Sequence, residues 1–129
     1  MAARLTQVDY DRELGLVAIP VGHPETDVVA LAHLLSDPDN GSAEYAILVH
    51  QDHVGVGLGR HMMERLLDHA AARGIKTVYG EVLAENGPML GLCRALGFHI
   101  EPDPDEPSCR RVRIDPSHYR QASGVTKGV

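Results

Sequence analysis

The sequence has no apolar run that approaches membrane-spanning length, so a helix-anchored membrane protein is not expected. The opening Met1-Ala2-Ala3-Arg4 leads into polar residues and not into the apolar stretch of a secretory signal. Positive charge is in short supply. Twelve Lys and Arg stand against eighteen Asp and Glu, a net charge of -6, so a nucleic-acid-binding surface is not expected either. Cysteine is scarce: Cys93 and Cys109 are the two, and neither has metal-ligand spacing around it. Two incidental thiols suit a cytoplasmic protein. No internal repeat is visible. What remains is 43% hydrophobic and 23% charged over 129 residues, the composition of one soluble globular domain with room for a real core.

The apolar pattern divides that chain into elements. Leu5 to Glu13 is polar and mixed and shows no strong period, at most a helical turn. Leu14 to Ile19 reads as a strand stopped by Pro20. Val28 to Leu35 is apolar on both faces and reads as a central strand, and Glu44 to Val49 is a third. Short turns between them predict an antiparallel meander. Met62, Met63, Leu66, Leu67 and Ala70 fall on one stripe of a helix from Arg60 to Arg73, closed by Gly74. Lys76 to Leu83 is a strand with Val78, Gly80 and Val82 on one face. Asn86 caps a second helix with Pro88 in its first turn, Met89, Leu92, Cys93 and Leu96 as its buried stripe, and Gly97 at its end. A strand from Phe98 to Ile100, a proline-rich acidic loop and a strand from Cys109 to Ile114 follow.

The chain is organised around the stretch from Val49 to Arg60, where strand gives way to helix through Gly55, Gly57 and Gly59. Glycine permits the sharp turn and keeps Cβ atoms away from the amides. The first amides of a helix lack internal partners and carry the positive end of its dipole. Together they make a cradle for phosphate or diphosphate. A Walker A loop would need Gly-Lys-Ser/Thr, and Gly59 is followed by Arg60 and His61. A Rossmann fingerprint would need G-x-G-x-x-G after a first strand, and here the spacing is G-x-G-x-G after the third. By itself the loop leaves a phosphate cradle and a ligand-free turn equally open. His50 and His53 lack the further ligands a metal would need, so no metal is expected.

Val54-Gly55-Val56-Gly57-Leu58-Gly59 resembles the Gln/Arg-x-x-Gly-x-Gly/Ala loop of the GNAT N-acetyltransferases, with Val54 in place of Gln or Arg. The element order matches that family from its second strand onward, as do Asn86 after the fourth strand and Leu96-Gly97-Phe98 at the end of the last helix. The segments Leu5 to Glu13, Ser36-Asp37-Pro38-Asp39-Asn40, Ala43-Glu44-Tyr45-Ala46 and Gly57-Leu58-Gly59-Arg60 carry the resemblance further. They are similar to the GNAT domain fused to an NDP-forming acyl-CoA synthetase module in bacterial protein lysine acetyltransferases. The resemblance runs from about Leu5 to Ile114.

It implies an α/β fold of the α+β type, a mixed, mostly antiparallel sheet flanked by helices. Residues 1–129 would form one such domain without the family's N-terminal strand and helices, a fragment of a larger protein. It implies acetyl-CoA as co-substrate, with the diphosphate over the loop. The residues are Val49, His50, Gln51, Val54, Gly55, Val56, Gly57, Leu58, Gly59 and Arg60, and Asn86 would bond the pantetheine arm. It implies direct acetyl transfer to a lysine of a protein substrate, an acyl-CoA synthetase being one candidate, with Glu44 as general base. Glu81 is the rival base, and Asp9, Asp11 and Glu13 are candidates for meeting a cationic substrate. Cys93 falls where many family members place a tyrosine that protonates the leaving thiolate. A small-molecule amine acceptor, or a non-catalytic acyl-CoA sensor, are the competing functions. A homo-oligomer is expected from the missing start.

Overall fold

Four strands in a row open the fold, joined by turns too short for anything but antiparallel neighbours. The computed structural model describes residues 3–24, 27–39, 41–50, 53 and 57–119. They are β1 (Ala3–Asp9), β2 (Glu13–Pro20), β3 (Ala30–Ser36) and β4 (Ser42–Val49). Then come α1 (Leu58–Ala72), β5 (Thr77–Leu83), α2 (Gly87–Leu96), β6 (His99–Pro102) and β7 (Cys109–Ile114). The seven strands form one sheet in the order β1-β2-β3-β4-β5-β7-β6. Every neighbouring pair is antiparallel except β4 and β5.

Local chemistry accounts for the boundaries. Asn86 accepts a hydrogen bond from the Met89 amide at 3.1 Å and Pro88 sits in the first turn of α2, as the sequence predicts. Gly74 and Gly97, at φ +78° and +99°, stop the two helices. Met62, Met63, Leu66, Leu67 and Ala70 of α1 are fully buried, packed with Leu14, Leu16, Ala32 and Leu34 in one core. In α2 the buried residues are Leu90, Cys93 and Leu96, whereas Met89 and Leu92 are only half-buried. The expected stripe is thus turned so that those two face a cleft instead of the core.

Two other expectations change. The polar segment from Leu5 is a strand: β1 pairs with β2 from Ala3↔Pro20 to Asp9↔Leu14. Ladder bonds to a strong neighbour override a sequence with weak strand preference of its own. β3 is not covered on both faces. Its residues alternate strictly between buried and exposed, because α1 and α2 lie on the same side of the sheet. The opposite face leaves Leu31 47%, Leu35 44%, Leu48 71% and Leu83 50% exposed.

Leu31 and Leu48 are direct cross-strand neighbours, so part of this surface is contiguous. Exposed apolar patches of this kind drive association. We therefore expect the chain to self-associate, and Leu48→Lys to disperse it. Multi-angle light scattering that finds a monomer at high protein concentration would contradict this.

The parallel pair carries the other consequential feature. β4 and β5 are in register only from Ser42↔Thr77 to Glu44↔Tyr79. β4 continues alongside β3 to Val49, and β5 continues alongside β7 to Leu83. Each strand is thus held by its outer neighbour while the two diverge from each other. At the start of the wedge the ring of Tyr45 covers Gly80, where a Cβ would come within 2.8 Å of Tyr45 Cδ2. The ring is buried, meets Phe98 edge-on at 6.1 Å and places its hydroxyl 3.7 Å from Cys93 Sγ. It has nowhere to retreat. Gly80→Ala should cost about 1–3 kcal/mol through overpacking. The thermal midpoint should fall by several degrees, and an unchanged melting curve would show that the ring is free to move.

Candidate functional site

A cavity of about 390 Å³ opens where the wedge meets the start of α1. Ile47, Leu48 and Val49 of β4 form one wall, and Asn86, Pro88, Met89 and Leu92 form the other. His53, Gly57, Gly59 and Arg60 close the end at the helix N-terminus. The walls are largely apolar, while the backbone of β4 past Glu44 has no ladder partner in β5. A narrow ligand carrying amide groups could bond to that open edge, as an added strand would.

The helix end leaves backbone donors open at the positive end of its dipole. Gly57 is the N-cap of α1 at φ +85°, with no side-chain capping bond and no acidic residue in the first turn. The first intrahelical bond of α1 runs from the His61 amide to the Gly57 carbonyl, 3.0 Å. The amides of Leu58, Gly59 and Arg60 therefore belong to the unpaired first turn. A Cβ built on Gly57 would meet nothing within 4 Å, so glycine is needed there for its backbone angle and not for want of space. Gly59 is different: its missing Cβ faces Val49 and Leu92 at 3.8 and 3.9 Å, ordinary packing distances.

Two buried side-chain nitrogens among the described residues have no hydrogen-bond partner, His53 Nδ1 and Arg60 Nε. Both residues line this cavity. Arg60 Nε lies 3.5 Å from Glu64 Oε2, close enough for an ion pair but without hydrogen-bond geometry. A pair of unsatisfied polar atoms is costly in a finished interior, and here they share the cavity with the free helix amides.

Of the residues anticipated for the co-substrate, the structure brings Val49, Gly57, Gly59, Arg60 and Asn86 to the cavity wall. Leu58 is buried in the core at the first position of α1. His50 stacks its ring edge-on to His53 with centroids 5.9 Å apart. Gln51, Val54, Gly55 and Val56 lie outside the described residues. In the sequence, His53 is legible only as a candidate metal ligand. The signal that could have found it is its position three residues after His50, whose carbonyl accepts from the His53 amide at 2.8 Å. Ile47, Leu48, Met89 and Leu92 were likewise not singled out for the cavity, because they declare themselves only once β4 and β5 part.

Glu44 is exposed on the other face of β4, opposite Tyr79 in the last registered pair before the wedge. It lines a second cavity of about 430 Å³ with Tyr79, Glu81, Glu101, Arg111 and Arg113. The Tyr79 hydroxyl donates to Asp37 at 3.2 Å. Burial, and then the negative charges of Asp37 and its neighbours, push this phenol above its ordinary range. Glu81 is held above the usual carboxylate range, chiefly by a hydrogen bond to Asp103, whose own carboxyl is held below it by the same bond. Asp103 is buried and lies 3.5 Å from Arg111 Nη2.

Asp9, Asp11 and Glu13 do not join Glu44. Asp9 accepts from Gln7 on the edge strand, and the Asp11 carbonyl accepts from Arg73 at 3.1 Å. Glu13 is in the same cross-strand row as Glu44, but Leu35 stands between them, two strand spacings or roughly 10 Å in all. Cys93 is fully buried, its thiol pushed up mainly by burial. That disfavours the thiolate an acyl-cysteine mechanism would require.

The comparisons with known proteins agree with one another. A sequence model of the acetyltransferase (GNAT) family matches residues 4–98. The chain is 31% identical over 103 residues to an acetyltransferase of Pseudomonas aeruginosa, covering 80% of this chain and 55% of that protein. It is 37% identical over 59 residues to an L-amino acid N-acyltransferase of Escherichia coli, covering 46% of this chain and 34% of the relative. The chain thus spans about half the length of the first relative and about a third of the second. The solved GNAT domain of S. lividans PAT shares the fold with a TM-score of 0.69 at 24% identity, over 83% of this chain and 64% of that one. A putative acetyltransferase of Salmonella typhimurium, solved with acetyl-CoA, gives a TM-score of 0.66 at 22% identity over 81% of this chain and 65% of the other.

Proposed function

This chain belongs to the acetyltransferase (GNAT) family, and on that premise we propose that it binds acetyl-CoA and serves direct acetyl transfer to an amine, with a protein lysine as the acceptor. The observation that carries the reading is the wedge between β4 and β5, which runs into an uncapped helix N-terminus and holds both unpartnered nitrogens. The residues present fit the co-substrate. Arg60 and the amides of Leu58 and Gly59 would hold the diphosphate. The backbone of Ile47 to Val49 and the side chain of Asn86 would hold the pantetheine arm between apolar walls. Asn86 Oδ1 already accepts from Met89, which leaves its amide nitrogen as the donor.

Bound acetyl-CoA supplies the thioester. The chain must supply an acceptor with a lone pair. A lysine ammonium has a pKa near ~10.4, so only about 0.1% is neutral at about pH 7.5. Glu44 is an exposed carboxylate at the point where the wedge begins, and that position supports its taking the proton directly or through water. Cys93 and Tyr45 are buried partners of each other and do not line the cleft. Protonation of the departing thiolate accordingly falls to water.

A small-molecule amine is the second reading, favoured by the likeness to the L-amino acid N-acyltransferase. The deciding experiment measures binding of coenzyme A by calorimetry and then turnover on a lysine-bearing protein, including an acyl-CoA synthetase, against free amino acids and polyamines. Turnover on free amines alone would replace the protein acceptor. Binding without turnover on any amine, in the longest natural form of the chain, would make the site a sensor.

A further inference from the structure

We propose that His53 is a diphosphate-binding side chain that donates its Nδ1–H to the coenzyme A diphosphate beside Arg60, an inference that rests on the reading above. His53 lines the cavity, and its Nδ1 is buried with no partner in the protein. Its own amide donates to the His50 carbonyl at 2.8 Å, and its ring meets the His50 ring at an interplanar angle of 79°. A buried nitrogen left without a partner is costly, so the missing partner comes with the ligand.

The partner's chemistry follows from what else lines that end of the cavity. Arg60 is the charged side chain there, again with an unsatisfied nitrogen, and the uncapped first turn of α1 adds its free amides. The acid packed against this end is Glu64, one turn along α1 and paired with Arg60. A cluster of donors at the positive end of a helix selects an anion. The wall made by Pro88, Met89 and Leu92 is apolar and suits the pantetheine arm. The anion at the donor end is therefore the diphosphate, and His53 adds a side-chain donor to a cradle otherwise made of backbone and Arg60.

Calorimetric titration of the whole chain with coenzyme A, with dephospho-coenzyme A and with pantetheine tests this. His53→Ala should raise Kd about tenfold or more for the first two ligands, as expected for loss of a hydrogen bond to a charged group. Pantetheine should bind both proteins equally, which also reports that the variant is folded. His53→Asn, which keeps an N–H donor near the same place, should stay within about threefold. Equal affinity of the unsubstituted chain and His53→Ala for coenzyme A overturns the inference while leaving the binding site intact. A loss seen with coenzyme A but not with the dephospho form assigns the contact to the ribose phosphate and overturns it too. If the unsubstituted chain binds none of the three, the reading beneath it fails first.

Discussion

Glu44→Gln should leave coenzyme A affinity nearly unchanged and lower turnover on an amine by about 10²–10⁴, roughly 3–5 kcal/mol of barrier. Glutamine keeps the size and polarity of the side chain but cannot take a proton. Glu44 sits on the face of β4 away from the core, so the exchange disturbs no packing. It also lines a different cavity from the loop and the wall residues, which is why affinity should survive. The loss should shrink as pH rises and more amine arrives already neutral. The assay belongs in the longest natural form of the chain, with kcat and KM separated. Turnover within a few-fold of the unsubstituted protein at neutral pH removes Glu44 from the mechanism. Glu81 would then be the next carboxylate to replace. Its hydrogen bond to Asp103 keeps it protonated to higher pH than an ordinary glutamate and so reduces its supply of base.

Gly57→Val should weaken coenzyme A binding by about 10–100-fold. At φ +85° the N-cap of α1 lies in the left-handed region, where a β-branched residue pays roughly 1–2 kcal/mol. The chain can relieve that strain only by rotating the cap, and rotation shifts the amides of Leu58, Gly59 and Arg60 that would hold the diphosphate. The Cβ itself meets no protein atom, so it would enter space open to the ligand. Asparagine tolerates the left-handed region better than other side chains, and Gly57→Asn should lie between glycine and valine. Calorimetry that ranks all three proteins equal would show that α1's N-terminus does not hold the diphosphate. Because the strain also lowers stability, the comparison should be made well below each variant's unfolding temperature.

Much of this molecule was readable from its residues. The i, i+4 stripe of Met62, Met63, Leu66, Leu67 and Ala70 predicted α1, and all five are fully buried. Asn86, Pro88 and Gly97 marked both ends of α2. Gly57 and Gly59 marked the turn into α1. These are local matters, decided by periodicity of 3.6, capping chemistry and the backbone freedom of glycine, all of which act within a few residues. β1 was not readable, because Ala3 to Asp9 is polar and becomes a strand only through its ladder to β2. Nor was the exposure of Leu31, Leu35 and Leu48. Their apolarity looks like core until both helices are seen to pack on the other face.

The cleft belongs to the tertiary structure alone. Nothing in Ile47-Leu48-Val49 or Gly80 to Leu83 announces that two strands in parallel register will part after Glu44 and Tyr79. The parting arises because β3 and β7 hold the two strands in diverging directions, while the Tyr45 ring fills the gap over Gly80. His53 shows the same division in one residue. The sequence presents it as a polar loop position beside a glycine run. Only the folded chain shuts its Nδ1 away from solvent with no partner, in the same cavity as Arg60, because burial is a property of everything that surrounds an atom and not of the residue that carries it.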